Sequence, residues 1–338
     1  MANATLPALA VALAMLPSIG GATEKVAPKV LVITMFDGEA KPWLDGRSFD
    51  TRVAVPGLSA AFPDVVCDSA GLCLMTTSMG FANAAASTAA VALSDAFDLS
   101  KSYVLIDGIA GVDPNDGTTG GAYWARYVVD GGLRHEIDPR QVPAGWPNGM
   151  VALGAAAPGD KPKWSAGTEV YALNPALAER AFALTRDVAL ADSDAAKAYR
   201  AAYPEAAAKA APAVALCDTA SIDTYWHGSL MGEGIQDWTS LVTGGAANYC
   251  TTQMEDNATL TALRRAADAG RLDFDRIAVL RTASNFDREP PGKTPIESLT
   301  ANSGGFGPAT TNAYRVGGAF ADAVIAGWGA WSEGVPAD

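Results

Sequence analysis

Residues 29 to 36 read Lys-Val-Leu-Val-Ile-Thr-Met-Phe, an apolar run with no polar alternation. A strand of that kind has no solvated face, so helices must cover it on both sides. Ser102–Asp107 and Ile277–Arg281 repeat the pattern, Pro212–Asp218 adds another strand, and Val65-Val66 and Leu72–Thr77 read as further strands. Between them lie helical stretches. Ala82–Val91 carries small side chains that permit close packing on a sheet. Asn174-Pro175 supplies an N-cap with Pro at the first helical position, and Ala/Lys/Glu segments then run to about Ala211. Thr311–Trp331 reads as a closing helix. This alternation predicts a three-layer α/β/α architecture around a central mixed sheet. No repeat or low-complexity linker marks a boundary, so residues 23–338 read as a single domain.

In an open α/β sheet, ligands bind beyond the carboxyl ends of the strands. The stretch Tyr249–Asp287 presents two such ends. The first strand runs into the polar turn Gln253–Asn257, followed by a helix to Ala269 with Gly270 as its stop. Ile277–Arg281 then opens onto Thr282–Asp287, which reads as a second polar turn. Three Gly-containing turns follow other strands: Met35–Glu39, Thr77–Phe81 and Asp107–Gly111. Their backbone N–H groups suit an oxyanion. None has the Gly-Lys-Ser/Thr ending of a phosphate-binding loop or the spaced glycines of a dinucleotide fingerprint.

The net charge of −13 disfavours nucleic acid and anionic membranes as partners. Leu6–Leu16 is an apolar run of export-signal length, and Pro17–Ala22 is a small-residue exit. Residues 1–22 are therefore expected to be a signal peptide cleaved near Ala22, although a basic N-terminal region is missing. No later apolar run is long enough to span a bilayer, so the mature chain is expected to be soluble and exported, periplasmic or secreted. Cys67, Cys73, Cys217 and Cys250 allow three pairings in an oxidising compartment. Cys67 with Cys73 would staple a turn, and Cys217 and Cys250 both lie at strand ends. No spacing resembles a zinc site, the histidines being His135 and His227, so no metal is expected.

Several segments together resemble the purine nucleoside permease family. They are Ile33–Ala40 (ITMFDGEA), Gly108–Pro114 (GIAGVDP), Asp218–Gly228 (DTASIDTYWHG), Thr252–Leu260 (TQMEDNATL) and Val279–Arg288 (VLRTASNFDR). More loosely, the order of motifs is similar to that of the nucleoside phosphorylase and nucleosidase superfamily. The resemblance implies a nucleoside phosphorylase-like domain that binds a purine nucleoside and cleaves its N-glycosidic bond. It needs no cofactor, with phosphate as a candidate co-substrate. Hydrolysis and phosphorolysis both stay open, with no clear phosphate clamp among Lys41, Arg47, Arg52 and Arg281. The alternative is a non-catalytic soluble binding component serving a membrane transport partner. The resemblance also implies a homo-oligomer.

Residue by residue, the resemblance assigns Met254 to packing under the sugar and Glu255 to accepting hydrogen bonds from the ribose hydroxyls. An ionised carboxylate is acceptor-only and suits a cis-diol. Asn285 stands in place of the Asp with which many superfamily members protonate the purine, a replacement found in members preferring 6-oxopurines, and Asp287 is the alternative proton donor. Glu39 falls near a water-activating carboxylate. Gly80 and Phe81 belong to one Gly-rich turn, and Gly108, Ile109, Ala110 and Gly111 to a second that faces base and anion. Aromatic partners for the base are Phe81, Tyr225, Trp226 or Phe286, and His227 is placed toward the ribose 5′-hydroxyl.

Overall fold

The computed structural model of the protein describes Met1 and residues 25–337. The expected signal peptide therefore lies outside the described residues, Met1 apart. In chain order the first strands are β1 (Val30–Thr34), β2 (Thr51–Ala54), β3 (Asp64–Cys67), β4 (Leu72–Thr76) and β5 (Tyr103–Val112). Shorter strands follow: β6 (Ala122–Trp124), β7 (Tyr127–Asp130), β8 (His135–Glu136), β9 (Met150–Val151) and β10 (Val170–Ala172). The last are β11 (Val214–Leu216), β12 (Asp218–Ser221), β13 (Tyr249–Gln253) and β14 (Ile277–Phe286). The helices are α1 (Asp37–Gly46), α2 (Phe81–Ala92), α3 (Pro175–Thr185), α4 (Asp194–Arg200) and α5 (Ala206–Lys209). After them come α6 (Ser229–Thr243), α7 (Asp256–Asp268), α8 (Pro295–Leu299), α9 (Phe306–Ala326) and α10 (Trp328–Trp331).

One mixed sheet of 12 strands runs β10-β7-β12-β13-β5-β1-β4-β3-β2, with β14 against β5 and β6, and β11 against β6. Side chains alternate across it. Leu31 and Ile33 meet Val91 of α2 and Leu260 and Leu263 of α7 on one face. Val30 and Val32 meet Trp43 of α1, Leu177 of α3 and Val316 and Phe320 of α9 on the other. This is the three-layer arrangement that the unalternated apolar runs demand. Burying each such Val, Leu, Ile or Phe contributes about 1.5–3 kcal/mol.

The feature that makes a site is a change of partner along β5. One edge of β5 pairs with β14 from Val104 to Val112. The other edge pairs in parallel with β1 only as far as Ile106. It pairs again, now antiparallel with β13, at Gly111 and Val112. Residues 107–110 thus face a crevice into which β1 and β13 point their carboxyl ends from opposite directions. This is a topological switch point in the sense that predicts ligand binding in open sheets.

Three expected turns are corrected. Asp107–Gly111 and Thr282–Phe286 are strand, because β5 and β14 continue to pair to their ends. The polar side chains that suggested a turn are enclosed by the fold: Thr282 Oγ1 donates to Ala309 O of α9 at 3.0 Å, and Ser284 Oγ lies 3.2 Å from Ala110 O of β5. A register shift between Ala283 and Asn285 re-aims the side chains there. Asp37–Glu39, read as part of a turn, begins α1, whose first turn carries both acids as the helix dipole favours. The Thr77–Phe81 segment up to Gly80 is a true turn. Asn174 caps α3 as expected, accepting from Ala176 N at 3.1 Å. The closing helix starts earlier than expected, at Phe306. Of the three cysteine pairings, the one formed is Cys67–Cys73 across β3 and β4 with Cys217–Cys250 tying the start of β12 to β13.

Candidate functional site

A cavity of about 360 Å³ opens at the β5 crevice, within the range of small-molecule sites. The carboxyl end of β1 supplies Met35, Phe36 and Glu39, and β13 with its following turn supplies Thr252, Gln253, Met254 and Glu255. Ile109, Ala110 and Gly111 of β5 and Arg281, Ser284 and Asn285 of β14 form the back wall. Thr224, Tyr225 and Trp226 close one side, and Leu299, Ala301, Ser303 and Phe306 close the other.

Arg281 organises this wall. Its guanidinium is fully buried and crosses Gly108, where a Cβ would lie 2.5 Å from both Arg281 Nη1 and Glu39 Oε1. Only glycine leaves room for that approach. Nε donates to Asp256 Oδ2 at 3.1 Å, Nη2 donates to Asp256 Oδ1, and Nη1 donates to Ile109 O at 3.0 Å. Glu255 Oε2 lies 3.7 Å from Nη2 and Glu39 Oε1 4.0 Å from Nη1. Burial works against the charge on Arg281, but the field of Asp256, then Glu255 and Glu39, outweighs it and holds the group cationic.

The carboxylates are gripped by backbone. Glu39 Oε1 accepts from Ile109 N at 2.7 Å and Oε2 from Met35 N at 2.8 Å. Glu255 Oε1 accepts from Gly80 N at 3.1 Å and Oε2 from Met254 N at 3.2 Å. Burial lifts the Glu39 carboxyl to about 8 despite the opposing pull of Arg281 and the two N–H donors. Burial likewise raises Glu255, with Arg281 again opposing. Beside them Ser284 Oγ donates to Asn285 Oδ1 at 2.7 Å and Asn285 Nδ2 donates to Phe286 O at 2.8 Å, fixing which end of the amide is which. Glu255 and Asn285, from segments some thirty residues apart, therefore face one cavity.

These raised carboxyls dictate a pH dependence of stability. Glu39 titrates near 8 in the fold against 4.5 in the open chain, Asp107 near 7 and Asp287 near 6 against 3.8, burial being the main cause in each. The folded state therefore holds more protons than the unfolded state between about pH 4 and pH 8, so stability is lost as pH rises through that window. The thermal midpoint is expected to fall between about pH 5 and about pH 9, and the slope to shrink in Glu39→Gln. A midpoint that rises over this range contradicts the assignment.

Residues 27–336 match the purine nucleoside permease (NUP) family. The purine nucleoside permease of Candida albicans is 36% identical over 307 residues, covering 89% of this chain and 76% of that protein. A probable purine nucleoside permease of Schizosaccharomyces pombe is 36% identical over 321 residues, covering 90% and 91%. The chain belongs to the purine nucleoside permease family. Its fold is that of nucleosidases. A 5'-methylthioadenosine/S-adenosylhomocysteine nucleosidase of Neisseria meningitidis aligns over 88% of this chain and 99% of its own, with TM-score 0.53 and 18% identity. Futalosine hydrolase of Helicobacter pylori aligns over 88% and 98%, with TM-score 0.55 and 14% identity. No helix among the described residues of this purine nucleoside permease family member is long and apolar enough to cross a membrane.

Most residues singled out in the sequence meet at the cavity: Glu39, Ile109, Ala110, Gly111, Tyr225, Met254, Glu255, Asn285 and Asp287 line it. Gly80 and Gly108 stand one step behind, Gly80 through its N–H to Glu255 and Gly108 beneath Arg281 and Glu39. Others are corrected. Phe286 turns into the core, packing on Tyr199 and Tyr203, because its neighbour Asn285 takes the cavity-facing position of the strand. Phe81 is no part of the wall, and its N–H donates to Asp223 Oδ1 at 2.7 Å. His227 also lies off the wall, half-buried, with both ring nitrogens unpartnered, and Trp226 lines the cavity instead. Asp287 reaches the edge of the cavity with its carboxylate committed elsewhere: Tyr249 Oη donates to Oδ2 at 2.7 Å and Arg288 Nε to Oδ1 at 2.8 Å. Arg281, considered in the sequence as a phosphate ligand, is ion-paired instead, with Asp256 as the tight partner. The 299–306 wall escaped sequence reading, since Leu299 ends the five-residue α8 and Ala301 and Ser303 follow it in a stretch with no periodicity to mark them.

Proposed function

We propose that this protein cleaves the N-glycosidic bond of purine nucleosides by hydrolysis. The observation that carries the reading is the state of Glu39: a buried carboxyl, raised to about 8, on the same cavity wall as Glu255 and Asn285. Glu255 accepts the ribose hydroxyls on lone pairs its two backbone donors leave free, with Met254 under the sugar. Asn285, its amide oriented by Ser284, donates to the departing purine. Glu39, once deprotonated, takes the proton of a water attacking the anomeric carbon. A base whose pKa lies near working pH combines availability with proton affinity. The glycosidic C–N bond breaks as the C–O bond forms. The purine leaves carrying the bonding pair, hydrogen-bonded by Asn285, and takes its proton from solvent water, while Glu39 returns the proton it received to solvent.

Water is favoured over phosphate as the nucleophile. The backbone donors Met35 N and Ile109 N, which would suit an oxyanion, are both taken by Glu39. Arg281, the single cationic side chain lining the cavity among the described residues, is already shared by three carboxylates. Lys41 pairs with Asp45, Arg47 with Asp322 and Arg52 with Asp64, all away from the cavity wall. The names of the permease relatives support a purine nucleoside as the ligand, and the nucleosidase fold is one that can house it. Two disulfides support export to an oxidising compartment.

Incubating the protein with inosine or guanosine, with and without phosphate, tests this. Free base and ribose are expected at the same rate in both conditions. Base released only with phosphate means phosphorolysis. Tight binding without any release means a soluble binding component and removes the catalytic reading.

A further inference from the structure

Asp107 takes no part in the chemistry above, yet it is a carboxyl sealed inside the fold. It sits on β5 beside Gly108 and is 1% exposed. Oδ2 accepts from Trp43 Nε1 at 2.8 Å, and Oδ1 is buried with no hydrogen-bond partner. Burial pushes it to about 7 against the pull of Trp43 and Arg281. α9 closes over the pair at Gly317, where a Cβ would lie 3.0 Å from the Trp43 ring and 3.3 Å from Asp107 Oδ2. Tyr314 stacks edge-on against the same indole at 5.2 Å. Such a carboxyl costs stability that an apolar side chain would not.

What it holds is α1. Trp43 lies four residues after Glu39, on the same side of the helix. Pro42 stands between them without an N–H, removing an intrahelical hydrogen bond from that turn. The turn that carries Glu39 is therefore held less by its own backbone and more by whatever fixes Trp43. Two residues beyond Asp107 on β5, Ile109 N holds the Glu39 carboxyl itself. Helix and carboxyl are both tied to residues 107–109, the part of β5 that faces the crevice.

We propose that Asp107 is a positioning residue that, through Trp43, sets α1 against β5 and so holds the Glu39 carboxyl toward the anomeric carbon. This rests on the hydrolytic reading above. Trp43→Phe keeps the ring and removes the donor, Asp107→Leu removes the acceptor, and Asp107→Asn keeps an acceptor oxygen. Each of the first two is expected to lower kcat for inosine between about 10- and 100-fold, with KM within about twofold. The double variant should be no slower than the worse single one, because both break one contact. Asp107→Asn should restore kcat to within a few-fold of the parent. Amide hydrogen exchange at Met35 and Ile109, whose N–H groups bind Glu39, should quicken in Trp43→Phe and Asp107→Leu.

Unchanged kcat in the single variants, losses that multiply, or an Asp107→Asn as slow as Asp107→Leu overturns the proposal. If Asp107→Leu does not fold, Trp43→Phe decides on the same criteria. If the parent protein itself turns over no nucleoside, the hydrolytic reading fails, and exchange alone judges the anchor. Faster exchange at Met35 and Ile109 in Trp43→Phe then supports it, and unchanged protection removes it.

Discussion

Glu39→Gln is expected to lower kcat for inosine hydrolysis by roughly 10²–10⁴, the usual loss when a positioned general base is removed. The substitution is nearly isosteric. An amide oxygen still accepts from Ile109 N or Met35 N, while the other donor faces an NH₂ group that cannot accept. Binding should therefore survive better than turnover, and KM should move by less than about tenfold. In the parent protein the group must be deprotonated to act, and its carboxyl titrates near 8. So kcat/KM should climb with pH through about 8 and level off above it, and this limb should vanish in Glu39→Gln. Steady-state kinetics from about pH 5 to about pH 10 reads both effects. A variant that retains a tenth of the activity, or a parent profile flat through 8, contradicts the role given to Glu39.

Arg281→Met is expected to have the largest effect on stability. Asp256 is fully buried and makes its side-chain contacts to Arg281 alone, through Nε and Nη2. Removing the guanidinium leaves that carboxylate uncompensated and takes the favourable field from Glu255 and Glu39 as well. Breaking a buried pair from one side costs about 3–5 kcal/mol, and the urea midpoint reads this directly. The deficit has a sign in pH. Without Arg281 the three carboxyls titrate still higher, so the variant recovers part of its loss in acid, where they are neutral. A variant as stable as the parent at neutral pH would mean that Arg281 does not hold the wall together.

Much of this was legible in the chain before any coordinates. Unalternated apolar runs such as Val30–Thr34 have one physical solution, a strand covered on both faces, and the layers followed from that. The polar clusters holding Glu255 and Asn285 stood out because they follow apolar strands, and the family resemblance alone singled out Met254, Glu255 and Asn285 within them. The errors share a cause. Gly108–Gly111 and Thr282–Phe286 look like turns locally, since glycines and small polar residues favour turns, yet each segment is strand because the two strands pair with one another. Pairing partners far apart in sequence leave no local trace. Phe286 was misplaced for a related reason: a register shift at Ser284 decides which side chains of β14 face the cavity. Asp107 and Trp43 were invisible for another reason. A polar residue closing an apolar strand reads as the strand's end, and only the packing of α1 and α9 reveals that its carboxyl is enclosed.

The central claim is that one crevice along β5 grips the pentose at Glu255 and the purine at Asn285 while Glu39 faces the bond between them. A crystal structure of Glu39→Gln soaked with inosine tests it most directly. The ribose 2′- and 3′-hydroxyls are expected within hydrogen-bond distance of Glu255, the purine N7 or O6 at Asn285, and a water between Gln at residue 39 and the anomeric carbon. Inosine bound with its base at Glu255, or bound outside the crevice, would contradict the account.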